Sequence, residues 1–240
     1  MTAQEYSTET LEQISDLLRR NPEYYTIWNY RRQALRYQFS EAGDGTDSIV
    51  QLIRDDLMFL IPLLKSFPKC YWIWNYRLWL LDEARRLLPS PVARRFWQEE
   101  LALVGKMLTL DSRNFHGWAY RRVVVGTLKQ LGSEEESREM NRQEFDYAKK
   151  MIGANLSNFS AWHYRTKLIL RLLEEQSASD EERQAMLDDG LCFPLPSSPE
   201  VIPRDRLTFT GTIFVRQSWL SFIKPLLIPT INLYGFIIKA

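Results

Sequence analysis

A short string built on tryptophan returns four times at nearly constant spacing: Trp28-Asn29-Tyr30-Arg31, Trp74-Asn75-Tyr76-Arg77, Trp118-Ala119-Tyr120-Arg121 and Trp162-His163-Tyr164-Arg165. The tryptophans are 46, 44 and 44 residues apart. Self-similarity at such a period is the signature of a repeat protein. A unit of this size cannot bury an apolar face alone, so neighbouring units must stack to make a core.

The register extends beyond the string. An aromatic stands three residues before each tryptophan (Tyr25, Tyr71, Phe115, Phe159) and an apolar residue seven after it (Leu35, Leu81, Val125, Ile169). Eleven and ten residues before it come the pairs Leu17-Leu18, Leu63-Leu64, Met107-Leu108 and Met151-Ile152. The tryptophan, the arginine three later and the apolar residue seven later share one helical face. The earlier pair belongs to a preceding helix, with turns at Asn21-Pro22, Phe67-Pro68, Asp111-Ser112 and Asn155-Leu156. Pro inside a helix start, or Asn, Asp or Ser as its cap, is the expected punctuation there. The reading is four stacked helix pairs, with the tryptophans and the aromatics before them as packing residues. Each arginine on a core face needs a partner, because an unpaired buried charge is costly. The candidates are the polar residues nineteen before each tryptophan: Glu9, Asp55, Glu99 and Gln143.

Composition narrows the function. The net charge of +1 gives no basic stripe of the kind nucleic-acid binding needs. Two cysteines, Cys70 and Cys192, and two histidines, His116 and His163, make neither a disulfide framework nor a self-contained metal site. Met1 to Tyr6 is polar and leads straight into a helix, so no signal peptide is expected and the setting is soluble, reducing and cytoplasmic. Ser40–Thr46, Gly132–Ser137 and Pro89-Ser90-Pro91 read as breaks between helix pairs.

With these strings in view, the chain resembles the α subunits of protein prenyltransferases, whose helical hairpins carry a Trp-x-x-Arg core. Asn21–Arg32, Asn114–Arg122 and Ser157–Arg165 make it most similar to the Rab geranylgeranyltransferase (type II) branch, because the farnesyl relative has a His or Gln pattern where Tyr-Arg stands here. The resemblance spans about residues 5–176. It implies an all-α fold, a right-handed α-α superhelix (solenoid) of helical hairpins. It also implies a heterodimer, in which a β subunit holds the catalytic zinc and the isoprenoid pocket while this chain binds no cofactor. The implied reaction moves geranylgeranyl from its diphosphate to C-terminal cysteines of Rab GTPases presented by an escort protein, with no membrane or nucleic-acid partner.

The same resemblance points to site residues. Lys69, in Pro68-Lys69-Cys70-Tyr71, matches a Pro-Lys-x-Tyr motif whose lysine reaches towards the diphosphate. Lys69 is also expected near a helix start, where a cation is locally unfavourable without solvent or an anion. The equivalent slots hold Glu23, Arg113 and Ser157, so the repeat itself does not require Lys. Tyr71 is either a residue of the active-site mouth or a packing residue. Asn114, Phe115 and His116 match a segment facing the β-subunit pocket; His116 reads equally as a hydrogen-bonder at a helix start. Arg113 supplies positive potential, and His163 reads as structural.

The pattern covers residues 1–176, with 177–189 as the start of a fifth unit. From Gly190 the composition changes, prolines recur at 194, 196, 199, 203 and 225, and Trp219 stands without flanking register. Residues 190–240 are expected not to be family sequence. The apolar stretch from Trp219 to Ile238 is broken by Pro225, Pro229, Asn232 and Gly235, and so makes a poor membrane span. Two alternatives to the Rab enzyme subunit stand: the α subunit of farnesyltransferase and type I geranylgeranyltransferase, and a non-catalytic helical-repeat scaffold that binds peptides. A 34-residue tetratricopeptide period with small packing residues would mark the scaffold, and neither feature is present.

Overall fold

The computed structural model describes residues 6–43 and 45–175. Among them are eight α-helices and no strand: α1 (Thr8–Arg20), α2 (Tyr25–Ala42), α3 (Thr46–Ser66), α4 (Tyr71–Leu87), α5 (Ser90–Leu110), α6 (Phe115–Leu131), α7 (Glu134–Ala154) and α8 (Phe159–Glu175). They pair in chain order as α1/α2, α3/α4, α5/α6 and α7/α8, so the all-α helical-repeat fold expected from the tryptophan register is the one that forms. The chain divides into two compact units, one ending at Ser137 and the other beginning at Arg138. Residues 177–240, with Cys192, Trp219 and the apolar stretch, lie outside the described residues.

In the first unit α1 packs on α2, α3 on α4 and α5 on α6, and α2, α4 and α6 also touch one another in succession. The register residues form the core: Trp28, Trp74 and Trp118 are buried, as are Leu35, Leu81 and Val125 seven positions on. In the second unit Trp162 and Ile169 are buried likewise. Of the aliphatic pairs, only Leu17 is half exposed, on α1, against which α2 alone is a major neighbour.

The buried arginines have partners, but not those expected. Arg31 donates through Nε to Asp56 Oδ1 at 3.0 Å and through a second nitrogen to the same oxygen. Arg77 forks onto both oxygens of Glu100, with Nε 3.0 Å from Oε2 and a second nitrogen on Oε1. Both acceptors stand eighteen residues before a tryptophan, one residue beyond Asp55 and Glu99. One step along a helix turns a side chain by about 100°, enough to carry Asp55 and Glu99 into solvent while Asp56 and Glu100 are buried. Each carboxylate belongs to the hairpin after its arginine, so the pairing crosses the hairpin boundary.

The tyrosine of the receiving hairpin completes the cluster. Tyr76 Oη donates to Asp56 Oδ2 at 2.7 Å, and Tyr120 Oη donates to Glu100. In the second unit Tyr164 Oη donates to Glu144 Oε2 at 3.0 Å, again eighteen residues before the tryptophan. Burial opposes the charge on Arg31 and Arg77, but the adjoining carboxylates outweigh it and hold both guanidiniums above their ordinary value. Burial, then the neighbouring carboxylate, pushes the Tyr76 and Tyr120 phenols well up, so both stay protonated donors. Buried charge is tolerated here because every partner atom is engaged.

Helix ends explain where the expected loops were too long. Gly43 closes α2 at φ 56°, a left-handed conformation that suits glycine, so only residues 43–45 separate α2 from α3. Of Gly132–Ser137, only Gly132 and Ser133 lie between helices. Ser133 Oγ accepts from the Glu136 N–H at 3.2 Å while Glu136 Oε2 accepts from the Ser133 N–H at 2.8 Å. That reciprocal capping box starts α7, with Glu134, Glu135 and Glu136 favourably placed in its first turn. Pro91 sits in the first turn of α5, where its missing N–H costs nothing.

Candidate functional site

Each hairpin turn is four residues long (21–24, 67–70, 111–114 and 155–158), and the second helix always starts at the aromatic three before the tryptophan. Asn21, Asp111 and Asn155 do not cap that second helix, as the sequence suggested. They end the first one and bend the turn, accepting from the N–H two residues on: Glu23 at 3.1 Å, Arg113 at 3.1 Å and Ser157 at 3.0 Å. Such short side chains fold back on local N–H groups readily. The true caps of α6 and α8 are Asn114 and Asn158, which accept from Gly117 and Ala161, both at 3.1 Å.

The tryptophans lock these turns. The indole Nε1 of each register tryptophan donates to the carbonyl six residues earlier: Trp28 to Pro22 at 2.7 Å, Trp74 to Pro68, Trp118 to Ser112 and Trp162 to Leu156, each at 2.9 Å. Two of those carbonyls accept a second donor from the following hairpin. Cys70 Sγ lies 3.4 Å from Pro22 O, and Asn114 Nδ2 lies 2.8 Å from Pro68 O. Burial pushes the Cys70 thiol up, which keeps the donated proton on it. Within the third hairpin Gly117 lets α6 approach α5 closely, since a Cβ there would sit 3.1 Å from Leu108 Cδ2. The starts of α2, α4 and α6 are therefore fixed side by side.

What they display is a row of exposed rings. Tyr25, Tyr71 and Phe115 are 55, 51 and 62% exposed, and in the second unit Phe159 is 62% exposed. These residues are not the packing residues expected from their spacing. The Cα–Cβ bond tilts toward the helix N-terminus, so at a first residue the ring starts beyond the packed body of the hairpin. In the first unit the row is continuous. Ring centroids run Tyr25 to Trp72 at 5.6 Å, Trp72 to Tyr71 at 5.2 Å, Tyr71 to His116 at 6.2 Å and His116 to Phe115 at 4.0 Å. Trp72 and Tyr25 were missed as site candidates; the one signal in the sequence was their place beside the Lys69 turn and at its counterpart one hairpin earlier.

Lys69 lies on this edge, two residues ahead of α4, with its side chain 70% exposed and Nζ 3.8 Å from Asp111 Oδ2. His116 is half-buried beside it. Burial lowers its pKa, against weaker raising influences from the Lys69 backbone and the Glu23 carboxylate, so the neutral imidazole is favoured. Lys69, Tyr71, Phe115 and His116 are thus brought together. Asn114 is 2% exposed, and its amide is engaged on both sides by the α6 cap and Pro68 O. Arg113 is exposed in the adjoining turn, and His163, read as structural, is exposed on α8. A separate groove of about 420 Å³ between α3 and α5, lined by Leu57, Phe96, Leu103, Arg77 and Glu100 among others, contains none of these residues.

Among the described residues no group of three or more His, Cys, Asp or Glu could hold a metal ion, and no helix is long and apolar enough to cross a membrane. Residues 7–38, 53–84, 97–128 and 141–172 match the family described as "Protein prenyltransferase alpha subunit repeat", each segment covering one hairpin. The chain is similar to "Geranylgeranyl transferase type-2 subunit alpha" of Candida albicans, 42% identical over 113 residues, which is 47% of this chain and 29% of that protein. The protein of the same name in Saccharomyces cerevisiae is 39% identical over 112 residues, 47% of this chain and 31% of the relative. For that of Homo sapiens the figures are 33% over 114 residues, 48% and 18%. The matched stretch is thus under a third of the length of each of these relatives.

Proposed function

Since the chain belongs to the protein prenyltransferase α-subunit repeat family, we propose that it serves as the α subunit of a heterodimeric Rab geranylgeranyltransferase. In that role it binds a prenyltransferase β subunit through the edge formed by the starts of α2, α4 and α6. The observation that carries this reading is Lys69, an exposed cation beside a continuous row of exposed and half-buried rings. A charged residue ringed by exposed aromatic surface suits a contact with another protein better than it suits solvent.

In the proposed reaction the bond between the first carbon of the geranylgeranyl group and its diphosphate oxygen breaks. A carbon–sulfur bond forms to the thiolate of a Rab cysteine presented by the escort protein, the thiol proton having passed to solvent. The diphosphate leaves with the electron pair, so negative charge grows on it, and a preorganised cation at that point lowers the barrier. Lys69 is that cation, and its weak, long contact with Asp111 leaves Nζ able to turn to a stronger anion. Tyr71, Phe115 and the neutral His116 line the approach, while Asn114 holds the α6 start in place. Zinc, which activates the thiol when bound, is assigned to the β subunit.

Co-expression with the matching β subunit, followed by co-purification and transfer of geranylgeranyl to a Rab protein with escort protein, tests this reading. Co-purification with activity that falls in Lys69→Ala supports it. A complex that instead modifies short C-terminal peptides without escort protein would favour the farnesyltransferase-type alternative. No association with any β subunit would leave the helical-repeat scaffold as the better description.

A further inference from the structure

Tyr71 is tied to a chain of polar groups that runs back into the preceding hairpin. Arg32, half-buried on α2, stacks over the rings of Tyr76 and Trp79 at 5.7 and 5.6 Å. Its NH1 donates to Asn29 Oδ1 at 3.2 Å and its NH2 to Asn75 Oδ1 at 2.7 Å. Asn75 Nδ2 in turn lies 3.2 Å from Tyr71 Oη.

The direction of these bonds is forced. A guanidinium only donates, so the Asn75 oxygen must face Arg32 and its NH₂ must face Tyr71. The Tyr71 oxygen therefore accepts, and its own hydrogen cannot be used towards Asn75. That hydrogen is turned away from Asn75, on a ring that is 51% exposed and stands 6.2 Å from the His116 ring beside Lys69. We propose that Arg32 and Asn75 are positioning residues that hold the Tyr71 hydroxyl as an outward hydrogen-bond donor to the diphosphate bound beside Lys69. Tyr71 adds a directed neutral donor to the point charge of Lys69, and no proton is transferred. This inference rests on the reading that the Lys69 edge receives the diphosphate.

Asn75→Asp is the decisive variant. A carboxylate accepts from both sides, so Tyr71 must now donate to residue 75, while Arg32 balances the new charge. In the full chain, the NMR resonance of the Tyr71 ζ-carbon, assigned with Tyr71→Phe, reports whether the phenol donates or accepts. It is expected to move in Asn75→Asp, and to move less in Arg32→Ala, which frees the amide to turn; an unmoved resonance in both overturns the wiring.

In the complex with the β subunit, Asn75→Asp is expected to slow single-turnover prenyl transfer about tenfold without raising the KM for the protein acceptor. In a Tyr71→Phe background it should slow transfer no further, because the group it controls is gone. An equal loss in both backgrounds overturns the inference and assigns the effect to added charge. Should Lys69→Ala and Tyr71→Phe both leave the rate intact, the diphosphate site itself is wrong. A drop in those two with no coupling to Asn75 sinks only the positioning role.

Discussion

Arg77 and Glu100 meet 3.0 Å apart across the boundary between two hairpins, both buried, with the Tyr120 hydroxyl donating to the same carboxylate. Glu100→Gln would leave the guanidinium buried opposite a neutral amide. The expected cost is about 3–5 kcal/mol, the usual result of breaking one side of a buried pair. The double variant Arg77→Met/Glu100→Leu should be more stable than Glu100→Gln alone, since no charge is then stranded. Urea midpoints of the three proteins measure this, and a Glu100→Gln midpoint within error of the parent would contradict it.

Pro68 O takes one donor from its own hairpin and one from the next. Trp74→Phe keeps the ring in the core but removes the indole N–H, and should cost about 1–2 kcal/mol. Asn114→Ala, which removes a helix cap, should cost about 1 kcal/mol. Together they leave the carbonyl with neither donor, so the loss should exceed the sum of the two. Additive melting temperatures would show that the two donors act independently.

Lys69→Ala should leave thermal stability unchanged, because the side chain is mostly exposed and its Asp111 contact, at 3.8 Å, is long. In the β-subunit complex the same change should lower the prenyl-transfer rate about 10- to 100-fold, equivalent to roughly 1.4–2.7 kcal/mol of barrier. A large stability loss with unchanged transfer would reverse the assignment.

Glu83 on α4 is buried between Arg36 Nε, 2.9 Å away, and Arg86 Nε, 2.8 Å away. Burial alone would raise its pKa, but the two arginines outweigh burial and hold it below the ordinary carboxylate range. A folded-state value below the unfolded one contributes stability that is complete above the unfolded pKa and is lost as pH falls through the folded one. Unfolding free energy should therefore decline below about pH 4.3, the ordinary Glu value. Glu83→Gln should flatten that decline. Asp82, whose pKa burial raises, acts with the opposite sign, so the comparison with Glu83→Gln is the measurement that isolates the arginine pair.

The repeat register made the helices, their pairing and the buried tryptophans legible, because those follow from local periodicity. The partners of the arginines did not follow. Asp55-Asp56 and Glu99-Glu100 offer two adjacent acids, and only three-dimensional packing selects the one turned inward from the next hairpin. The aromatics at the helix starts were read as core because their spacing is helical, yet spacing cannot tell the first residue of a helix from its interior. The capping box at Ser133 and Glu136 was readable and was obscured by the polar, acidic composition around it. The Lys69 edge was reached through a motif, while its continuation to Trp72 and Tyr25 depends on which helix ends lie abreast.

The bonds at the Arg31 and Arg77 junctions are chemically interchangeable: a guanidinium from one hairpin, a carboxylate and a tyrosine hydroxyl from the next. Nothing in that set tells one hairpin from another beyond the difference between Asp56 and Glu100 in length. The order of the stack is therefore written in chain connectivity and in the four-residue turns, not in the junctions. An array of this kind can lose or gain a whole unit of 44 to 46 residues and still find a matching seam, whereas a one-residue deletion inside a helix would turn its arginine or carboxylate by about 100° off the seam. Individuality is confined to the turns, and there a single hairpin carries lysine where the others carry glutamate, arginine and serine.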